Sequence, residues 1–173
     1  FLLFLGDGND INGDTRKERL LEYNLSTPYD LTNITLVENA GINLTGSSFA
    51  NPMGMRFSKN GKRLFIVDHN KMAIGQISLN VAFSTASYTI DGTIVIRNIP
   101  TANDHNQPRG IALGPNGIKI YVGTDRVNSG NDGADSVSEF NTTCPFNVIV
   151  GKCSSITEGD RTGMVLAQIC LLY

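Results

Sequence analysis

The sequence predicts an all-β fold assembled from a repeated four-stranded antiparallel unit, and three observations carry that prediction. A block of residues recurs along the chain with its prolines and glycines in register. Glycine occurs 18 times among 173 residues, with asparagine, serine and threonine throughout, which suits short strands joined by many turns. Apolar and polar residues alternate over short runs, the period of a half-buried strand.

The repeat is explicit. The stretch from Asn51 to Val67 lies over Gln107 to Gly123 without a gap, with Pro52 on Pro108, Gly54 on Gly110, Asn60-Gly61 on Asn116-Gly117 and Phe65 on Tyr121. A second block occurs three times, from Glu22 to Tyr29, from Gln76 to Phe83 and from Glu139 to Phe146. The closing aromatics stand about 54 and 63 residues apart, within the range of propeller and solenoid periods. The opening also fits, with Leu3 to Asp7 matched to Leu64 to Asp68 and to Ile120 to Thr124.

Taken in order, residues 1–5 read as the second strand of a first unit. In the next unit residues 53–58 alternate as strand one. Lys59-Asn60-Gly61 then offers the Asn-Gly pair whose positive φ angles suit a two-residue hairpin. Strand two is expected at 63–68, strand three at 72–79, and strand four at 88–96 with Asp91-Gly92 as an internal bulge. Residues 109–114 open the following unit. One such sheet cannot bury both faces, so copies must stack, and radial stacking gives a β-propeller. The expectation is a partial propeller of about three blades: 1–51 (incomplete), 52–106 and 107–162. Residues 163–173 are either a closing strand or the start of a further element.

The pattern Pro-x-Gly-apolar-x-apolar, then Asn-Gly, then Leu64-Phe65-Ile66-Val67, with Leu25-Ser26-Thr27-Pro28-Tyr29-Asp30 in the first unit, resembles the tandem propeller repeats of large secreted or surface proteins of marine bacteria. It is similar more distantly to lactonase-type and YVTN-type propellers. The resemblance covers the chain to about Val150 and implies the fold; its matched positions are those a blade needs for turning and packing, so it implies little about activity.

Composition excludes some functions. The 14 Lys and Arg are balanced by 16 Asp and Glu, for a formal net charge of −2, and form no stripe, so no nucleic-acid partner is expected. No apolar run is long enough to span a bilayer, and residues 1–5 lack the basic leader and cleavage site of a signal peptide. With no initiator Met and an apolar opening, the chain is expected to be cut from a longer one. Three blades leave a sheet face bare at each end, to be covered by the remaining blades of that chain or by a second copy.

Strand order puts the irregular loops on one face and the Asn-Gly hairpins on the other. The loop-rich face collects Asp7, Asp10 and Asp14; Asp104 and His105; Asp125, Asp132 and Asp135; the short connection holding His69; and Arg109, the variable residue of Pro-x-Gly. These are the candidate ligand-binding residues. Asp10, Asn12 and Asp14 begin like a calcium loop, but Thr15 stands where the turn needs Gly and Leu21 where a carboxylate should close the site. Solvated turn formers are the preferred reading, with calcium the one cofactor considered. His69 and His105 lack a third ligand at recognisable spacing and are expected in loops. Met53 and Arg109 occupy positions near the channel mouth where a lactonase would place metal-binding residues, and neither suits a hard metal. No nucleophile elbow, phosphate-binding loop or zinc-protease motif occurs. Cys144 and Cys153 are expected to form a disulfide, leaving Cys170 over. The reading favoured is a non-catalytic, extracellular or cell-surface module binding a protein or carbohydrate. Two alternatives are a lactonase-like hydrolase with most ligands outside this sequence, and a structural spacer.

Overall fold

The computed structural model describes residues 2–6, 19–37, 41–44, 47, 49–96, 105–127, 136–142 and 144–149. Every regular element among them is a β-strand: β1 (Leu2–Gly6), β2 (Arg19–Leu25), β3 (Ile34–Leu36), β4 (Ile42–Asn43), β5 (Pro52–Phe57), β6 (Arg63–Asp68), β7 (Ala73–Leu79), β8 (Tyr88–Val95), β9 (His105–Leu113), β10 (Lys119–Val127) and β11 (Ser136–Asn141). They form three antiparallel sheets in chain order. The middle sheet is the meander β5-β6-β7-β8, and the third holds β9, β10 and β11. In the first, β1 pairs with β2, whose other edge is shared by β3 and β4. No described helix is long and apolar enough to cross a membrane.

Two hydrophobic cores lie between these sheets, and β6 shows why. Its residues Leu64 to Val67 are all fully buried. Leu64 and Ile66 join Leu20 and Ile42 of the first sheet and Leu44 just after it. Phe65 and Val67 join Ile120, Val122 and Phe140 of the third. Successive side chains of a strand point to opposite faces, so an unbroken apolar run means burial on both. Each fully buried side chain of this size is worth about 1.5–3 kcal/mol, so both faces contribute heavily.

The hairpins differ from expectation. Of each Asn-Gly pair only the glycine has positive φ, 67° at Gly61 and 71° at Gly117. The Ser58 N–H donates to the Arg63 carbonyl and the Gly61 N–H to the Ser58 carbonyl. The loop is therefore a four-residue one, not a two-residue one. Asparagine is there for its side-chain oxygen: Asn60 Oδ1 accepts from Lys62 N–H (3.1 Å), and Asn116 Oδ1 from Ile118 N–H (3.2 Å).

The repeated aromatics occupy an unusual backbone state. Tyr29, Phe83 and Phe146 all have positive φ, 66°, 59° and 53°, a region that costs a non-glycine residue about 1–2 kcal/mol. In the middle and third sheets the cost is offset by a fixed seat. The Phe83 N–H donates to the Gly61 carbonyl (2.9 Å) and the Phe146 N–H to the Gly117 carbonyl (2.8 Å). Each ring then lies against its glycine, so that a Cβ on Gly61 would stand 2.4 Å from the Phe83 ring. The Phe83 ring also meets Phe57 edge-on at 5.3 Å.

Two finer expectations are resolved. The Asp91-Gly92 bulge is present, because Gly92 pairs with Gln76 and Ile90 with Ile77, leaving Asp91 as the extra residue. The match of β1 was one residue out: Leu3 pairs with Glu22 as Phe65 pairs with Gln76 and Tyr121 with Glu139. An unbroken apolar run has no alternation to set its register.

Gly61→Ala should destabilise the fold by about 1–3 kcal/mol in denaturant unfolding, since it meets both positive φ and the Phe83 ring. Gly110→Ala, where an added Cβ meets nothing within 4 Å, should change stability by less than about 0.5 kcal/mol.

Candidate functional site

In each sheet the strand registers define one end that carries the irregular connections. Gly6 and Arg19 close β1-β2, Asp68 and Ala73 close β6-β7, and Thr124 and Ser136 lie at the matching position of β10-β11. The Asn-Gly hairpins lie at the opposite end, as expected from the meander. The described part of the loop-rich end is thus built from β-strand termini and the turn that follows Asp68.

Asp7, Asp10, Asn12, Asp14, Asp104, Asp132, Asp135 and Cys153 lie outside the described residues. His69 opens the turn to β7, and its N–H donates to the Asn51 carbonyl (2.8 Å). His105 and Asp125 are not loop residues: His105 pairs with Val127 and Asp125 with Gln107 in the β9–β10 ladder. A register shift between Gly123 and Thr124 carries both strands past the point where sequence alone ended them. The Arg109 guanidinium contacts Met53 Sδ at 4.0 Å and donates to Gln107 Oε1 at 3.1 Å. The two Pro-x-Gly variable residues are therefore neighbours across the sheets. Gly54 permits this, since a Cβ there would stand 2.5 Å from the Arg109 carbonyl oxygen.

Asp68, not singled out by sequence, is the acidic group most committed at this end. It is fully buried. One carboxylate oxygen accepts from Ala50 N–H (2.5 Å) and Asn51 N–H (2.8 Å), the other from Lys71 N–H (2.7 Å). It thereby ties the strand entering the middle sheet to the turn carrying His69. All its bonds go to backbone, so its role is to position this end.

Two further residues join sheet to sheet. Glu22 on β2 accepts at Oε2 from the N–H (2.8 Å) and hydroxyl (2.6 Å) of Thr85, which follows Phe83 by two residues. Gln76 on β7 accepts at Oε1 from the N–H of Val148 (2.9 Å), which follows Phe146 by two. Its Nε2 donates to Asp91 Oδ2 (2.8 Å), so the bulge aims the amide. Glu22, Gln76 and Glu139 open the thrice-repeated block, and that shared position was the signal available in the sequence. Glu139 itself accepts from Lys119 Nζ (2.6 Å), which raises the Lys119 pKa above its ordinary value.

Among the described residues no group of three or more His, Cys, Asp or Glu is placed to hold a metal ion. A shallow hollow lies at the hairpin end instead, lined by Met55, Arg56, Phe57, Ser58, Lys59 and Phe83. Comparison of the chain with protein-family models, curated proteins and solved structures gives no match.

Asp68→Ala should take the shared acceptor from the N–H groups of Ala50, Asn51 and Lys71 and lower stability by about 1–3 kcal/mol. Asp68→Asn keeps one acceptor oxygen and should cost less. Thermal unfolding of the two variants checks the order, and equal losses would contradict the role given to the carboxylate.

Proposed function

We propose that this chain is an arc of a β-propeller, of the tandem-repeat kind its sequence resembles, and acts as a non-catalytic extracellular or cell-surface module. Its partner is a protein or a carbohydrate, held at the loop-rich end. The observation that carries this reading is the division of labour between the two ends of the sheets. The hairpin end is occupied by a repeated scaffold of Gly61 with Phe83 and Gly117 with Phe146. At the other end the sequence varies from unit to unit and is rich in Asp, Asn and His, and Arg109 lies there beside Met53. Variable polar loops on a repeated rigid frame are a common basis for recognition.

Support for a binding rather than a catalytic reading comes from what the described side chains do. Asp68 is consumed by backbone amides, and Arg109 faces a thioether and an amide. Stacked sheets of this kind meet the need for each to bury both faces, which radial packing satisfies. The Cys144–Cys153 pairing belongs to the same proposal: Cys144 is a buried half-cystine, and of the other cysteines Cys153 is nearer in sequence.

A glycan array and a lactone-hydrolysis assay, run on one preparation with and without calcium, test the reading. Retained glycans that are lost in an Arg109→Ala, Asp125→Ala, Asp132→Ala variant of unchanged melting temperature are expected, with no hydrolysis and one alkylatable thiol before reduction. Lactone turnover that depends on calcium would overturn it.

A further inference from the structure

The contacts that join successive sheets have an unused counterpart at each end of the stack. Between the first and middle sheets Glu22 takes the Thr85 N–H, and between the middle and third Gln76 takes the Val148 N–H. Arg63, at the start of β6, adds a bond from its guanidinium to the Phe146 carbonyl (2.7 Å). On the third sheet Glu139 stands at the position of Gln76 and Lys119 at that of Arg63, because Tyr121 pairs with Glu139 as Phe65 does with Gln76. Among the described residues no fourth sheet follows, and Lys119 and Glu139 bond each other. The same face leaves Val137 47% exposed where the middle sheet buries Ile74 completely.

The first sheet carries the complementary half. Tyr29 occupies the position of Phe83 and Phe146, with the same positive φ, and Leu31 follows it by two residues as Val148 follows Phe146. Tyr29 is 98% exposed and Leu31 62%, beside the exposed Ile34 and Leu36. An exposed apolar face of this kind is a surface suited to association.

We propose that the third sheet of one copy takes the first sheet of a second copy, head to tail. Glu139 accepts from the partner's Leu31 N–H, and Lys119 donates to the partner's Tyr29 carbonyl. The interface continues the one already made twice within the chain, and its two halves are different surfaces, so it is heterologous. It rests on the stacking of sheets and not on ligand binding at the loop-rich end, so either can fail without the other.

Sedimentation velocity on the 173-residue chain over a range of concentrations tests this. The unmodified chain should associate, and Glu139→Gln, which keeps the acceptor found at Gln76, should associate within a few-fold of it. Glu139→Ala should weaken association by about tenfold or more. Tyr29→Asp, at an exposed position where Asp tolerates positive φ, should do the same. Mixing these two weak variants should restore a heterodimer, since one still offers an intact third sheet and the other an intact first sheet. A chain monomeric at every concentration, unchanged association of the folded variants, or a mixture that recovers nothing would overturn the proposal; circular dichroism establishes that each variant is folded.

Discussion

A backbone amide buried between two sheets needs an acceptor, and in this chain the acceptor must come from the sheet before. The Thr85 residue is fully buried, and its N–H and hydroxyl have Glu22 as their partner. An unmet donor in such a place costs about 1–3 kcal/mol, so the bond fixes how far and in what rotation one sheet can lie on the next. Gln76 and Val148 repeat the arrangement one sheet later with a neutral acceptor. An acid and an amide thus fill the same position, and the acceptor oxygen is what they share.

Other features follow from this constraint. The amides are presented only because the aromatic two residues earlier turns the backbone into positive φ. That strain is held by an Asn-Gly hairpin whose glycine leaves room for the ring. The bulge at Asp91 serves the same contact, since its carboxylate takes the Gln76 Nε2 and the Ser78 hydroxyl and leaves Oε1 to face Val148. Hairpin, aromatic and acceptor lie far apart in sequence yet form one unit around each junction, and the bulge joins them at Gln76. The two cores then fill the space these junctions define.

Much of the scaffold was legible because it is written locally. Alternation over 53–58, the run Leu64 to Val67 and the Asp91-Gly92 pair each name their structure, and strands β5 to β8 fall within a residue of their expected bounds. What was not legible depended on pairing. The register of β1 slipped by one because Leu2 to Leu5 has no polar residue to mark a face. His105 and Asp125 were read as loop residues because a bulge between Gly123 and Thr124 leaves no sequence signature of its own. Asp68 looked like one more acid among many, and its three backbone partners come from separate turns. Of the candidate site, the sequence correctly ordered the two ends of the sheets. It misread which residues there are already engaged by the fold.

The account stands or falls on whether the Glu22 contact holds two sheets together or only accompanies their packing. A double-mutant cycle in chemical denaturation, combining Glu22→Leu with Thr85→Val, measures the hydroxyl half of that contact. The account predicts that the two single losses exceed the double loss by about 1.5–3 kcal/mol, the worth of a buried hydrogen bond to a charged group. Additive losses, with no coupling between the positions, would contradict it.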